Sequence, residues 1–125
     1  MSFWLTTAQI RNGTKWVTRR LGWWDLEPDE LVMACVKCQG LRKGEKIQKI
    51  RPIQIVSTRP EPLGAVTEED VVLEGFPGMS RAAFVAMFLE HMPDAAFEPV
   101  NRIEFRYPEE HEEPHECGTT NGEGD

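Results

Sequence analysis

The sequence predicts an α+β domain built on a small, mixed, partly closed β-barrel with two or three flanking helices. Short extended segments alternate with short helix-like segments, and no internal repeat is present. Residues 102–107 alternate charged and bulky apolar side chains, as a half-buried strand does. Because 125 residues suit one domain with a sizeable core, we expect a single domain over residues 1–108, followed by a tail.

The beginning of the chain predicts a strand, a helix and a second strand. Bulky side chains at residues 3–5 precede threonines whose hydroxyls can cap a helix over residues 6–12. Gly13 suits the end of that helix, since glycine takes a left-handed C-cap without strain. Residues 15–21 are then expected to be extended, and residues 23–30 to form a loop that ends in a turn.

The next part of the chain predicts two strands joined by a basic loop. Residues 31–36 are mostly apolar, as in a strand with little exposure. Residues 47–56 predict the second strand, in which Pro52 indicates an edge or a bulge. Between them, residues 40–46 are expected to form a mobile loop. This loop carries three cations, Arg42, Lys43 and Lys46.

Two capped helices are predicted further along the chain. Thr67 and Asp70 form an approximate capping box, T-x-x-D, for a short helix that ends near Gly75. Ser80 can cap a second helix, which Pro93 ends. This helix has an apolar stripe with one polar member, formed by Phe84, Met87, Phe88 and His91.

The charge of the chain is unevenly distributed. The sequence has 14 basic and 21 acidic residues, a net charge of −7. Residues 1–59 carry eleven basic and five acidic side chains, residues 60–108 carry three and nine, and residues 109–125 carry none and seven. The part up to residue 108 is therefore neutral with a cationic first half, as expected if one face meets phosphate. Alternatively, these charges only solvate the surface.

Composition also favours some classes of protein over others. Three cysteines, an odd number, and the lack of an apolar signal segment indicate a reducing, cytoplasmic environment rather than a disulfide framework. The longest apolar runs are strand-sized, whereas a membrane-spanning helix needs about 20 residues, so we expect no membrane partner. Residues 109–125 lack bulky apolar side chains and are predicted to be a disordered acidic tail.

The segment from Gly13 to Arg20 has the pattern G-x-K-x-x-x-x-R, with Lys15 at its third position. This pattern resembles the signature of the ASCH superfamily. The resemblance covers roughly residues 2–107 and includes Trp23-Trp24, the strand at 31–36, Glu74-Gly75-Phe76 and the closing strand. It implies that residues 1–108 form an ASCH domain with a PUA-like β-barrel, which is related to domains that bind RNA.

Lys15, Thr18 and Glu74 are the candidate catalytic residues. In the small bacterial amidohydrolases of this superfamily that deacetylate acetylcytidine, a threonine at this spacing and a downstream glutamate are thought to act with the motif lysine. The resemblance implies Thr18 as nucleophile, Lys15 as base and Glu74 as orienting acid. On a regular strand, residues three apart point to opposite sides, so a bulge or the cap turn is needed. Alternatively, Lys15 is an exposed strand residue and Glu74 pairs with a nearby arginine.

Other residues are candidates for ligand binding. Guanidinium groups match phosphate oxygens bidentately, so Arg19 and Arg20 can contact phosphate; alternatively, Arg20 pairs with an acid such as Glu74. Tryptophan can stack on a base, or pack in the core. The candidate ligand- or RNA-binding set is Gly13, Lys15, Trp16, Arg19, Arg20, Trp23, Trp24, Arg42 and Lys43.

No metal site and no cofactor are expected. Cys35 and Cys38 form a C-x-x-C pair, and the residues that could complete a zinc site, His115 and Cys117, fall in the predicted tail. The two thiols would also point apart on an extended chain. We therefore expect buried free thiols.

The sequence supports three hypotheses of function. In the first, an ASCH-domain protein recognises RNA or a modified nucleoside in a basic cleft. In the second, it is an amidohydrolase that removes an acyl group from a modified nucleobase such as acetylcytidine. In the third, the acidic tail mimics phosphate and competes with RNA. The oligomeric state stays open.

Overall fold

A four-stranded antiparallel sheet curls into a half-barrel in the computed structural model, which describes residues 1–37 and 42–108. Its strands are β1 (Val17–Arg20), β2 (Leu31–Cys35), β3 (Lys49–Glu61) and β4 (Val100–Arg106). Their order in the sheet is β1-β4-β3-β2, so β1 and β2 are the two edges. The predicted α+β class is confirmed, and the barrel is half-closed.

The long strand β3 bridges the two ends of the sheet. It pairs with β2 through its first half and with β4 from Gln54 onward. Pro52, opposite Met33, therefore lies where β3 has a neighbour on one side only, and its missing N–H leaves the β4 ladder intact. Register shifts between Ile55 and Ser57, and near the end of β2, are irregularities of the kind that bend strands.

Three α-helices accompany the sheet: α1 (Thr7–Arg11), α2 (Glu68–Leu73) and α3 (Arg81–His91). The predicted caps are confirmed for the last two. The Thr67 hydroxyl accepts from Asp70 N at 3.0 Å, and the Ser80 hydroxyl accepts from Ala83 N at 3.1 Å. Gly13 ends the turn after α1 with φ of +75°, as the cap prediction required. Single 3-10 turns span Leu63–Ala65 and Pro93–Ala96.

Two apolar clusters hold these elements together. The first packs α1 against the sheet and includes Phe3, Ile10, Ile53, Ile103 and Phe105. The second packs α2, α3 and the start of β4 and includes Leu63, Val66, Val71, Phe84 and Val100. The edge strand β1 carries the second half of the motif, Val17–Arg20.

Some predictions for the fold are wrong. The sheet is antiparallel, whereas a mixed sheet was expected; within residues 1–37 and 42–108 the parallel pairing is the isolated bridge between Ser2 and Cys35. That bridge also stands in place of the strand predicted at residues 3–5. The strand predicted to end at residue 56 continues to Glu61, because its polar second half still pairs with β4.

Other predictions fall partly or wholly on residues that the structure does not describe. The acidic tail, residues 109–125, lies outside the described residues, and so do residues 38–41 of the region around the basic loop. None of the described helices has the length and apolar character needed to cross a bilayer.

Candidate functional site

A cavity of about 710 Å³ lies along β1. The motif residues Lys15, Thr18, Arg19 and Arg20 line it together with Glu74, which follows α2. Because β1 is an edge strand, side chains from both of its faces reach the cavity. Lys15 lies before the first residue of the strand, so it is not bound to the alternation of the strand. The strand alternation that would separate residues 15 and 18 therefore does not keep them apart.

The rest of the cavity wall is mainly aromatic and apolar. The predicted stripe of α3 faces it, so that side chains assigned to core packing also border this open space. The N-terminal segment and the loop after β1 complete the wall. The apolar lining comprises Met1, Phe3, Trp4, Leu5, Leu21, Trp23, Phe76, Phe84, Met87, Phe88 and Met92.

Lys15 and Glu74 form a buried ion pair at this wall. Lys15 Nζ donates to Glu74 Oε1 at 2.9 Å and to the Glu74 backbone carbonyl at 2.7 Å. Glu74 is the C-cap of α2, where backbone carbonyls lack helical partners and a cation is favoured. The ammonium group therefore satisfies both the helix end and the side chain of one residue.

Arg19 holds the other oxygen of the same carboxylate. Its Nη1 donates to Glu74 Oε2 at 2.9 Å, while Nε and Nη2 donate to Glu61 Oε2 at 3.1 Å and 2.6 Å. Nη2 also donates to Asp70 Oδ2. Arg19 is 3% exposed, so three carboxylates surround a guanidinium group with almost no access to solvent. The alternative in which Glu74 pairs with an arginine is confirmed, and the arginine is Arg19.

Arg102 extends this cluster on β4. Its Nε donates to Asp70 Oδ2 at 2.7 Å and its Nη2 to Asp70 Oδ1 at 3.0 Å, a bidentate pair. Arg19 and Arg102 are opposite each other in the β1–β4 register, so Asp70 from α2 bridges two adjacent strands. At the edges of the cluster, Arg102 also pairs with Glu104 at 3.3 Å and Arg59 pairs with Glu61 at 3.4 Å. The charges balance, with four cations and four carboxylates: Lys15, Arg19, Arg59, Arg102, Glu61, Asp70, Glu74 and Glu104.

Burial and charge shift several pKa values in this cluster. Burial lowers the pKa of Lys15 from 10.5, partly opposed by Glu74 and assisted by the positive charges of Arg20 and Arg19. Hydrogen bonds from Arg102, followed by those from Arg19, lower the pKa of Asp70 to about 2 despite its burial. Burial also opposes the charge of Arg19, but its three carboxylate partners together raise its pKa.

Thr18 and Arg20 present polar groups to the cavity. The Thr18 hydroxyl, which is buried, accepts from Arg20 Nε at 3.2 Å. Arg20 Nη2 donates to the Ser2 backbone carbonyl at 2.6 Å, and its guanidinium carbon lies 4.7 Å from the centre of the Phe3 ring. Arg20 is thereby fixed against the N-terminal segment.

Trp23 is held at the cavity by a strained loop. It has φ of +61°, which is uncommon for a residue with a side chain, and its indole is 43% exposed. The buried amide of Asn101 donates to the carbonyls of Gly22 and Trp23 at 3.2 Å and 3.0 Å. Asn101 therefore anchors the loop that carries this aromatic side chain.

The structure brings part of the predicted set together. Six candidate residues line the cavity: Lys15, Thr18, Arg19, Arg20, Trp23 and Glu74. Five do not line it: Gly13, Trp16, Trp24, Arg42 and Lys43. Arg42 and Lys43 are exposed in a turn, and Trp24 is 51% exposed beside Trp23.

Sequence reasoning missed the carboxylates that neutralise Arg19. The Asp70 amide donates to Thr67 as the predicted cap requires, but its carboxylate binds arginines, and Arg102, predicted on the polar half of an alternating strand, is buried. The sequence did contain a signal for this pairing. α2 starts with three successive acids, and two arginines, Arg19 and Arg102, lie opposite each other on the strands β1 and β4. Because these acids and arginines are far apart in the sequence, their pairing is not evident until the register of β1 and β4 is known.

The described residues contain no group of three or more His, Cys, Asp or Glu side chains that could hold a metal ion. Cys35 is buried, and its Sγ lies 3.7 Å from the Met33 carbonyl oxygen. The other cysteines, Cys38 and Cys117, lie outside the described residues.

Comparisons with protein-family models, with curated proteins and with solved structures find no match to this chain.

We expect Asp70→Asn to remove an acid-sensitive part of the stability. The pKa of Asp70 is about 2 in the fold and 3.8 in the unfolded chain, so the unfolded state binds more protons between these values. The stability due to ionised Asp70 is complete above pH 3.8 and is lost as the pH falls through about 2. This loss corresponds to about 2 kcal/mol.

Urea unfolding of both proteins from pH 6 to pH 2 measures this contribution. The difference in free energy of unfolding between wild type and Asp70→Asn should shrink by about 2 kcal/mol as the pH falls. A difference that stays constant with pH would show that Asp70 is not ionised against Arg102 and Arg19.

Proposed function

We propose that this protein binds a modified nucleoside in the cavity along β1, with the base against the aromatic wall and its polar edge against Lys15 and Thr18. The observation that carries the proposal is the joint lining of one cavity by the Lys15–Glu74 pair, Thr18 and aromatic side chains. A volume of about 710 Å³ is within the range of small-molecule sites. The choice of a nucleoside as the ligand comes from the resemblance of the motif to the ASCH superfamily.

The polar groups at the cavity have capacity for a ligand. Lys15 Nζ has three donors, and its hydrogen bonds within the described part of the chain are the two to Glu74, which leaves one donor. The Thr18 hydroxyl accepts from Arg20 and can still donate its own hydrogen. An amide or ring carbonyl of a base can accept from either group.

Charge supports a nucleoside over a phosphate as the group bound inside the cavity. Arg19, which the sequence suggested for phosphate contact, is committed to three carboxylates. A phosphate at Arg19 would have to displace a carboxylate from this buried guanidinium group, although Asp70 and Glu74 would each keep a second cation, Arg102 and Lys15. The wall beside Arg19 therefore suits a ligand part that is neutral and flat.

We expect Trp23→Ala to weaken binding of acetylcytidine about tenfold, because stacking on one aromatic side chain contributes about 1 to 3 kcal/mol. Trp24→Ala is the matched control, since Trp24 is adjacent and similarly exposed but does not line the cavity. Isothermal titration calorimetry with acetylcytidine and cytidine measures both affinities. Equal weakening by the two variants would contradict a site at this cavity.

Hydrolysis of the acyl amide is a second candidate function, favoured by Lys15. Because burial lowers the pKa of Lys15, its amine loses a proton more readily than that of an exposed lysine, and the neutral amine can accept a proton from a hydroxyl. In this scheme Thr18 Oγ1 attacks the acyl carbon while Lys15 takes its proton and passes it to the leaving amine. Glu74 orients Lys15 through the 2.9 Å contact, and water then releases the acyl group from Thr18.

If the protein is a hydrolase, Thr18→Val should reduce deacetylation of acetylcytidine at least about 100-fold, because the variant keeps the shape but lacks the nucleophile. Thr14→Val, on an exposed threonine outside the cavity, is the control. Chromatographic detection of cytidine measures turnover. Binding of acetylcytidine without turnover in the wild type would leave recognition as the function of the cavity.

A further inference from the structure

Two pairs of arginines in this protein differ in their partners. Arg19 and Arg102 are buried among carboxylates near the cavity. By contrast, Arg11 and Arg51 form no ion pair with any carboxylate of the described residues. Their positive charge is therefore available to an external anion, unlike that of Arg19.

Arg51 lies against an aromatic ring and reaches the backbone of Arg11. The Arg51 guanidinium carbon is 4.4 Å from the centre of the Tyr107 ring, and its Nη1 is 3.4 Å from the Arg11 carbonyl. The Trp16 and Tyr107 rings meet edge to face, with centres 5.4 Å apart. We call this surface, formed by Arg11, Trp16, Arg51 and Tyr107, the Trp16 platform.

The Trp16 platform is exposed and separate from the cavity, although the two are connected through one residue. Trp16 is 41% exposed and Arg11 is exposed, and none of the four platform residues lines the cavity. Tyr107 donates its hydroxyl hydrogen to the carbonyl of Lys15, whose side chain faces the cavity.

We propose that the Trp16 platform binds single-stranded nucleic acid, with one base stacked on Trp16 and the backbone phosphates beside Arg11 and Arg51. Aromatic faces next to unpaired cations are the combination that single strands need, since unstacked bases supply flat surfaces and the backbone supplies charge. A duplex keeps its bases stacked inside and would leave the Trp16 ring unused. This inference extends the proposed function, because a single-stranded nucleic acid would carry the nucleoside that the cavity binds.

Gly13 fits the same surface. It has φ of +75°, and a Cβ placed there would come within 4 Å of Arg51 Nη1 and the Tyr107 ring. These are ordinary contact distances, so the positive φ is what favours glycine at this position, and the turn that it forms lies beside the platform.

Binding of a fluorescein-labelled ten-residue oligouridine, and of the equivalent oligothymidine, to the full-length protein tests the proposal by fluorescence anisotropy. We expect Trp16→Ala to weaken binding about tenfold. Arg51→Gln and Arg11→Gln should each weaken it and reduce the slope of log affinity against log salt by about 0.7, the value for one lost phosphate contact with a single strand.

Two controls match these variants. Arg59→Gln removes the same charge from an exposed arginine on β3 outside the platform, and Trp24→Ala removes an exposed indole. Arg51 is partly buried, so Arg51→Gln can also disturb the fold. Arg11 is exposed, and Arg11→Gln therefore tests the loss of a platform charge independently of that effect. Binding of the oligouridine alone, or of both oligonucleotides, supports the inference if it depends on the platform residues in this way. Comparison of the two affinities shows whether the platform distinguishes RNA from DNA.

The inference is overturned if the wild type binds neither oligonucleotide, or if the platform variants weaken binding no more than their controls do. Calorimetry with acetylcytidine on the same proteins keeps this failure apart from that of the proposed function. Oligonucleotide binding that depends on the platform, in a protein that does not bind the nucleoside, would reject the cavity assignment alone. Nucleoside binding without oligonucleotide binding would reject the platform alone.

Discussion

The division of one carboxylate between two cations organises this structure. Glu74 gives Oε1 to Lys15 and Oε2 to Arg19, and it does so at the end of α2, 3% exposed, where water contributes little to solvating any of the three charges. Asp70 and Glu61 complete the neutralisation of Arg19, and Arg102 completes that of Asp70. Such clusters tolerate the loss of a member poorly, because the remaining charge is left buried. The position of α2 against β1 and β4 therefore depends on charge balance as well as on apolar packing.

This balance separates two kinds of positive charge, and with them two proposed roles. Two of the cations beside the cavity, Lys15 and Arg19, are committed to carboxylates, while Arg20 is held by the Thr18 hydroxyl and the Ser2 carbonyl, so the cavity offers mainly hydrogen bonds and aromatic surface. The Trp16 platform retains cations without carboxylate partners in the described structure. A neutral base in the cavity and a charged backbone on the platform would use each surface for the chemistry it has. Lys15 contributes to both surfaces, because its side chain lines the cavity and its backbone carbonyl accepts from Tyr107 of the platform.

Local signals in the sequence predicted local structure well. The caps at Thr67 and Ser80, the glycine after α1 and the stripe of α3 each depend on residues a few positions apart, and each is confirmed. The antiparallel order of the sheet and the partners of Arg19 depend on contacts between distant segments, which a single sequence does not encode in any short pattern. The grouping of Lys15, Thr18 and Glu74 was suggested through the family resemblance. The exclusion of Trp16 and Gly13 from the cavity required the coordinates.

The most direct test of this account is an NMR titration of protein labelled with ¹³C at the ε-carbon of lysine, with Lys15→Arg assigning the resonance among five lysines. Burial of the ammonium group predicts that this resonance titrates below 10.5, against the opposite effect of Glu74, and that it moves when acetylcytidine is added, because Lys15 lines the cavity. A resonance that titrates at or above 10.5 and is unchanged by saturating acetylcytidine would contradict both the burial of Lys15 and the ligand site.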